Sequence, residues 1–322
     1  MFKTLVFVSA LASAAFAQTS STNTTAAAAP AGNPLIPTNI SSTCTAFLTS
    51  LDSNTALAGC LSAMSTATSA FAPGSSTSSS AAVTSALTNL CSTSIDSTCP
   101  ESLFRTQLAN FLTACTPELV SSPVQDVLRI YDVLYLMAPM KDATCAKADD
   151  DSYCVMQSVT TARDLSNEVS ESDTLAVSDL LKLLYTDNAA LKRRAPVSAI
   201  VPNITTFHDT NIAFLFLNPS LAVDKLCTGC ARNVLQGYMN FEGNMPYAPG
   251  LSASQILDTQ DALYNAITSV CPAGFLSGAV KAAGGLGTGG PFASSAAVPA
   301  VNSKYAGVLS LALGLATLAI NA

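Results

Sequence analysis

The sequence predicts an all-α protein made of disulfide-bonded helical hairpin repeats with long Ser/Thr/Gly-rich flanks. Three observations support this fold class. Seven cysteines between Cys44 and Cys154 follow a spacing that repeats, and the apolar residues between them recur at helical intervals. The chain also carries ten cysteines, an even number, as is typical of the disulfide frameworks of secreted proteins.

The cysteine spacing defines two arms of equal length. Arm 1 runs from Cys44 to Cys99 and arm 2 from Cys99 to Cys154, each spanning 55 positions. The residues between successive cysteines number 15, 30 and 7 in arm 1 and 15, 29 and 8 in arm 2. Because two unrelated runs would rarely share the first interval and the total, we interpret the arms as two copies of one helical unit. Neither copy can bury its apolar face alone.

Each arm predicts two helices. In arm 2 the first helix opens at Pro100 and closes at Pro117, with an apolar stripe at Phe104, Leu108, Phe111 and Cys115. The second is capped by Ser122 and ends at Pro139, with a stripe at Val124, Val127, Tyr131 and Leu134. Arm 1 repeats this pattern in weaker residues around a Ser/Thr-rich loop at 73–80, with a stripe at Phe47, Leu51, Val83, Leu87 and Leu90.

The chain beyond Cys154 predicts further helices. Residues 175–184 form an amphipathic pattern, and residues 214–217 form a short apolar run that we expect to be buried. A helix starting at Pro219 presents Cys227, Cys230, Val234, Tyr238 and Phe241. A last helix, capped at residues 252–255, presents Ile256, Leu263, Ile267, Val270 and Cys271. The interval from Cys230 to Cys271 therefore predicts a third helical hairpin.

The N-terminus has the pattern of a secretory signal peptide. A basic start at residues 1–3 precedes an apolar run at residues 5–14, and Ala15 and Ala17 fit the small-residue rule for cleavage. The alternative, a membrane-spanning anchor, needs about 20 apolar residues. We therefore predict export of the chain.

The C-terminus has the pattern of a GPI-attachment signal. Small residues at 293–296 precede a spacer and an apolar tail at 306–322, with no basic residue after the tail. A single membrane-spanning helix is the alternative, although Lys or Arg would normally follow it. We predict Ser294 as the lipid-bearing residue, with Ser295 and Asn302 as weaker candidates.

Low charge and acidic balance exclude some partners. The chain is 49% hydrophobic and 11% charged, with a sequence pI near 4.6. Without the two terminal segments the balance becomes still more acidic, because both remove a lysine and neither removes an acid. Nucleic acid is excluded as a partner because its phosphates require a basic surface, and an electrostatic membrane patch is disfavoured for the same reason.

These features divide the chain into seven segments. They are a signal peptide at 1–17, a Ser/Thr-rich disordered stalk at 18–42, a two-repeat helical cysteine-rich region at 43–155, a helix and dibasic linker at 156–200, a third helical hairpin region at 201–275, a Gly-rich tether at 276–294 and a GPI-attachment propeptide at 295–322.

Two kinds of modification are predicted. N-glycosylation motifs lie at Asn23, Asn39 and Asn203. Three consecutive bases, Lys192, Arg193 and Arg194, mark an exposed linker and match the target of a dibasic processing protease. A plain solvated charge cluster is an equally good interpretation of these bases.

The cysteines can pair in roughly 900 ways, and the sequence does not choose among them. If the repeat is structural, the natural bridges close each hairpin, which leaves four cysteines to form two further pairs. The expected pairs are Cys60–Cys91, Cys115–Cys145, Cys230–Cys271, Cys44–Cys99 and Cys154–Cys227. Each bridge would stabilise the fold by about 3 to 4 kcal/mol in the chain-entropy model.

Residue patterns that could carry chemistry have simpler structural interpretations. The pair Cys227 and Cys230 matches a redox motif, which requires the start of a helix, but we place the pair inside a helix and predict structural cysteines. His208, the single histidine, lies beside Asp209 and is interpreted as a loop histidine because no serine-hydrolase elbow is present.

Two acidic groups also have simpler structural interpretations. Residues 149–151, three aspartates, lack the glycine and closing glutamate of a calcium loop and predict a solvated turn. Glu168 and Glu171 have the composition of a glycosidase pair, but we expect a polar helix start. The sequence therefore predicts no catalytic, cofactor-binding or metal-ligating residue.

Several segments together resemble an uncharacterised family of fungal cysteine-rich, GPI-anchored cell-surface proteins, a domain of unknown function. The resemblance lies in residues 226–230, residues 131–135 with Pro139, the interval from Cys145 to Cys154, residues 264–272 and both terminal signals. It spans about residues 44–275. It implies a fungal cell-surface location and a disulfide-bonded helical ectodomain, and it brings no catalytic residue.

The function predicted from these observations is that of a noncatalytic GPI-anchored glycoprotein of the fungal cell surface or cell wall, with a structural, adhesive or ligand-capturing role. The alternatives are a secreted hydrolase acting on wall polysaccharide or lipid, and a small lipid-binding helical module. The expected partners are the membrane, through the GPI lipid, and cell-wall glycans or lipid, with no cofactor. The sequence leaves the oligomeric state open.

Overall fold

The computed structural model describes residues 36–71, 80–156, 185–187 and 200–276. Its α-helices are Ser42–Asp52 (α1), Thr55–Ala67 (α2), Ser80–Leu90 (α3), Thr93–Thr98 (α4), Glu101–Thr116 (α5), Gln125–Cys145 (α6), Ile204–Thr210 (α7), Val223–Leu226 (α8), Gly229–Asn244 (α9) and Gln260–Val270 (α10). Short 3₁₀ turns lie at Ser69–Phe71, Ile212–Phe214 and Leu251–Ala253, and a π-helical turn lies at Pro117–Ser121. The strands Tyr185–Asp187 (β1) and Ile200–Pro202 (β2) pair antiparallel. The all-α prediction is confirmed.

The two arms pack against each other. Helix α1 of arm 1 lies against α5 of arm 2, and α3 of arm 1 lies against α6 of arm 2. The predicted stripes face this interface, where Phe104, Leu108 and Phe111 are almost completely buried. Each arm thus buries its apolar face on the other, as expected for repeats that are unstable alone.

The five disulfides correct every predicted pair. The bridges are Cys44–Cys115, Cys60–Cys99, Cys91–Cys145, Cys154–Cys230 and Cys227–Cys271. The predictions Cys60–Cys91, Cys115–Cys145, Cys230–Cys271, Cys44–Cys99 and Cys154–Cys227 are therefore wrong. Three of them assumed that a bridge closes each hairpin, and the other two used the cysteines that remained. Three observed bridges instead connect the two arms, whose cysteine-bearing faces pack against each other, and Cys154 and Cys227 pair with cysteines of the C-terminal unit.

Three of these bridges form a symmetric pattern: if the two arms are given each other's cysteine positions, the same three pairs result. The first cysteine of each arm pairs with the second cysteine of the other arm, and the third pairs with the third. This is the reciprocal pairing expected of two copies related by an approximate two-fold arrangement. The repeat inferred from the spacing is thus present in the covalent structure, although the pairs themselves were not foreseen.

Helix α6 is the centre of the molecule. It runs from Gln125 to Cys145 and continues through Pro139, where the sequence predicted its end. It begins without a side-chain cap, so Ser122 is not its N-cap as predicted. A proline inside a helix removes one backbone hydrogen bond. Here α6 continues because neighbouring helices cover it, and every residue from Leu134 to Met140 is buried.

The C-terminal unit, residues 200–276, packs on α6 through α9. Gly237 marks the closest approach, because a Cβ atom built there would lie 3.2 Å from the backbone nitrogen of Ala143 and 3.5 Å from the carbonyl oxygen of Pro139. The apolar run at 214–217 is buried, as predicted. In this run Leu215 and Phe216 have positive φ angles of 53° and 67°.

The last two helices differ from their predicted bounds. Helix α9 starts at Gly229, and α10 starts at Gln260. Ser254 therefore does not cap α10, and Val270 is 43% exposed although it was expected on the buried face. Ile256, Leu263 and Ile267 are buried, as predicted.

A continuous line of aromatic rings joins the three parts of the fold. Phe47 of arm 1 lies 5.0 Å from Phe111 of arm 2 between ring centroids, and Phe111 lies 5.4 Å from Tyr131 on α6. Tyr131 in turn meets Tyr247 of the C-terminal unit edge to face at 5.3 Å. Such pairs stabilise by about 0.5 to 1.5 kcal/mol beyond the burial of their area. The arms and the C-terminal unit therefore share one core.

Other predicted elements lie outside the described residues. They are the signal peptide, most of the stalk and of the loop at 73–80, the helix at 175–184, the Gly-rich tether and the C-terminal propeptide. The described chain begins at residue 36, where Ile36 and Ile40 already pack against the core. Among the described residues, no helix is long and apolar enough to cross a membrane.

Candidate functional site

A buried carboxylate joins α6 to the long connection between α9 and α10. Asp132 is 0% exposed, and its oxygens accept three hydrogen bonds from that connection. Tyr247 Oη and Ser254 Oγ donate to Oδ1, the latter at 2.7 Å, and the backbone N–H of Gln255 donates to Oδ2 at 2.9 Å. We call Asp132, Tyr247, Ser254 and Gln255 the aspartate clamp.

The hydrogen-bond directions in the clamp follow from the local chain. Ser254 Oγ accepts from the backbone N–H groups of Ile256 at 3.1 Å and Leu257 at 2.8 Å, so its own proton is directed to Asp132. The N–H of Gln255 can only donate. Tyr247 is thus the member of the clamp whose hydroxyl can either donate or accept. Ionised Asp132, which only accepts, is matched to three donors.

The pKa values of the clamp reflect burial. Burial raises the pKa of Asp132 to about 6, and the hydrogen bonds from Tyr247, Ser254 and Gln255 oppose the rise. Burial also raises the pKa of Tyr247, and the neighbouring Asp132 raises it further. The pKa of Tyr131 rises to about 12 for the same main reason. No Lys, Arg or His among the described residues lies within ion-pair distance of Asp132.

Further polar contacts hold the same connection to α6. Tyr135 Oη donates to the carbonyl oxygen of Met245 at 2.7 Å. Gln255 Nε2 donates to the carbonyl oxygen of Gln125 at 3.2 Å. Gln125, Asp132 and Tyr135 of α6 are therefore hydrogen-bonded to residues 245–255. The arrangement therefore holds the connection between α9 and α10 against α6 by hydrogen bonds.

The importance of Asp132 was not predicted from the sequence. Leu128, Tyr135 and Leu136, at positions i−4, i+3 and i+4, are apolar or aromatic and share a face of α6 with Asp132, so the aspartate lies within an apolar face. An aspartate inside such a pattern must be buried and must find donors, because an unpaired buried charge is costly. That signal was present in the sequence, but its partners 115 to 123 positions away were not predictable.

His208 lies on α7 and is exposed, so it is a helix residue and not the loop residue that was expected. Its Nδ1 lies 3.3 Å from Asp209 Oδ1, and its Nε2 lies 3.7 Å from Asp258 Oδ2. The contacts described for the imidazole are thus with carboxylates on both sides. A hydrolase base requires one ring nitrogen beside the nucleophile. In His208 both ring nitrogens lie beside carboxylate oxygens instead.

The pair Cys227 and Cys230 lies at the start of α9. Thr228 is the N-cap of this helix, and its hydroxyl accepts from the N–H of Ala231 at 3.0 Å. The prediction that the pair lies inside a helix is therefore wrong. Both residues form disulfides, as predicted for structural cysteines, but with Cys271 and Cys154 and not with each other.

Glu118 is a second buried carboxylate that the sequence did not indicate. It is 5% exposed, and its Oε1 accepts from the N–H of Ser41 at 2.6 Å. Burial alone raises the pKa of Glu118, but hydrogen bonds from Ser41 lower it, and the pKa lies below its usual value. Glu118 lies within 4.8 Å of the sulfurs of Cys44 and Cys115, yet these atoms form a disulfide and are not free as metal ligands.

The other candidate residues are an acidic turn, two glycosylation motifs and a set outside the described residues. Residues 149–151 form an exposed turn in which Asp150 accepts from the hydroxyl of Ser152 at 2.6 Å, as expected for a solvated acidic turn. Asn39 is exposed, and Asn203 is the N-cap of α7. The remaining candidates lie outside the described residues, namely Asn23, Glu168, Glu171, Lys192, Arg193, Arg194, Ser294, Ser295 and Asn302.

The fold and the clamp define a disulfide-bonded, all-α protein whose buried polar groups join its helices. Residues 31–172 contain a domain of unknown function (DUF7729), which covers both arms. None of the curated proteins and none of the solved structures matches the chain.

Proposed function

We propose that this protein is a noncatalytic cell-surface or cell-wall glycoprotein of a fungus, exported by its signal peptide and held at the surface by a GPI lipid at Ser294. Its helical ectodomain has a structural, adhesive or ligand-capturing role. The fungal location comes from the family resemblance, and the anchor comes from the pattern at residues 293–322.

The observation that carries this proposal is the complete pairing of the cysteines. All ten lie among the described residues, and all ten form disulfides. Five disulfides are typical of proteins that fold in the secretory pathway and work outside the cell, because reducing compartments do not maintain them.

The use of the buried polar groups supports a noncatalytic role. Among the residues that the structure describes, Asp132 is the carboxylate that combines complete burial with a strongly raised pKa. These are the usual features of a catalytic acid. Its acceptor oxygens are occupied by the clamp, and the side chain has no exposed surface. A structural role accounts for all of its contacts.

Treatment of intact cells with a GPI-specific phospholipase tests the proposal. We expect the enzyme to release the full ectodomain into the medium. A matched variant that ends after residue 294 lacks the attachment signal and should be found in the medium without treatment. Retention of both proteins in the membrane fraction after treatment would contradict the lipid anchor.

A further inference from the structure

Two disulfides meet at the start of α9. Cys227 pairs with Cys271, and Cys230 pairs with Cys154, so two bridges end on cysteines that are three positions apart. The bridges differ in what they join. Cys227–Cys271 closes the C-terminal unit on itself, whereas Cys154–Cys230 is, of the five disulfides, the one that joins the repeat region, residues 36–156, to the C-terminal unit.

The two bridges also differ in accessibility. Cys154 is 0% exposed and Cys230 is 6% exposed, so reagents reach their bridge poorly. Cys227 is half-buried, and nothing lies within 4 Å of a Cβ atom built on Gly229, two positions further along the chain. The Cys227 side of this pair is therefore the side that solvent reaches.

The start of a helix favours a thiolate. The N–H groups in the first turn of a helix carry partial positive charge, and they stabilise an anionic sulfur beside them. Cys227 and Cys230 flank the N-cap residue Thr228. This is the position in which a Cys-x-x-Cys pair exchanges disulfides readily.

We propose that Cys227 and Cys230 form a thiol–disulfide exchange centre that releases the covalent link between the repeat region and the C-terminal unit. A dithiol reductant first converts Cys227–Cys271 into two thiols and is itself oxidised to a cyclic disulfide. The thiolate of Cys227 then attacks the sulfur of Cys230. A Cys227–Cys230 bond forms as the Cys230–Cys154 bond breaks, and the electron pair and a proton go to Cys154. The second step exchanges one thiol for another without net oxidation.

A matched pair of full-length variants tests the exchange without any reductant. Cys271→Ser leaves Cys227 without its partner, and we expect alkylation to label Cys154, with loss of the Cys154–Cys230 linked peptides. Cys227→Ser removes the attacking sulfur, and we expect the label on Cys271 with the Cys154–Cys230 bridge intact. Label on Cys227 in the Cys271→Ser variant, with Cys154–Cys230 intact, would overturn the proposal.

The wild-type chain provides a second test that does not depend on the variants folding. Limiting dithiothreitol followed by alkylation should label Cys154 and Cys271 together. The bridge Cys91–Cys145 is the internal control, because both of its cysteines are half-buried and neither has another cysteine within three positions. It should label only its own two residues. Label confined to Cys227 and Cys271 would show simple reduction and reject exchange.

Discussion

The carboxylate of Asp132 and the hydroxyl of Ser254 lie 2.7 Å apart although 122 positions separate them in the chain. The contact joins α6, in the second arm, to the connection between the last two helices. Because Ser254 Oγ also accepts hydrogen bonds from two backbone N–H groups, its own hydrogen points to the carboxylate of Asp132. The docking of the C-terminal unit on the repeat region therefore depends on a buried acid.

This acid makes stability depend on pH. The pKa of Asp132 is about 6 in the folded protein and 3.8 as the ordinary value, so the folded state holds more protons than the unfolded state between these values. The free energy of unfolding should consequently fall as pH rises from about 4 to about 6, by up to about 3 kcal/mol from this group. Asp132→Asn should remove this part of the dependence.

Urea unfolding of the wild type and of Asp132→Asn between pH 4 and pH 7.5 measures the effect. The two stability curves should diverge as pH rises, with the wild type losing more. Asp126→Asn is the control, because Asp126 lies on the same helix but its side chain is 56% exposed. Parallel curves for wild type and Asp132→Asn would contradict the assignment.

A second prediction concerns the contact between α6 and α9. Gly237→Ala places a methyl group 3.2 Å from the backbone of Ala143, which cannot move without displacing α6. We expect a loss of about 1 to 3 kcal/mol in the free energy of unfolding, as for other overpacked sites.

Gly243→Ala is the matched control on the same helix, since nothing lies within 4 Å of its added methyl group. Alanine is a better helix former than glycine by about 1 kcal/mol, so this variant should be unchanged or more stable. Equal stability of the two alanine variants in thermal unfolding would argue against the close approach.

A third prediction concerns cleavage at Lys192, Arg193 and Arg194. These residues lie between Cys154 and Cys230, which are joined by a disulfide. A chain cut there should run as one species on a non-reducing denaturing gel and as two after reduction. In a double variant, Cys154→Ser with Cys230→Ser, the same cut should give two species without reduction. Separation of the wild-type pieces before reduction would contradict the bridge.

The sequence predicted the elements of this fold better than their connections. Helical spacing located α5 and α6 of arm 2 and most of the buried positions of α9 and α10, because burial of one face imposes a period on the chain. It did not show that arm 1, for which two helices were predicted, contains four, α1 to α4. The end of α6 was missed at Pro139, where packing from neighbouring helices outweighs one lost hydrogen bond. Local signals do not report such packing.

The site was less predictable than the fold. Disulfide partners depend on how the arms lie against each other, and spacing within an arm says nothing about that arrangement. Asp132 was recognisable as a buried acid from its apolar neighbours, but Tyr247 and Ser254 come from a distant connection. The spacing of Cys227 and Cys230 is visible in the sequence, but their position at a helix terminus follows only from the observed start of α9 at Gly229.

Disulfide mapping of the arms tests the central claim most directly. The folded protein is alkylated, digested at acidic pH to prevent exchange, and its linked peptides are identified by mass spectrometry. We predict Cys44 linked to Cys115, Cys60 to Cys99 and Cys91 to Cys145, the set that is unchanged when the arms are exchanged. Peptides that link Cys60 to Cys91 and Cys115 to Cys145 would contradict it, because they would close each arm on itself.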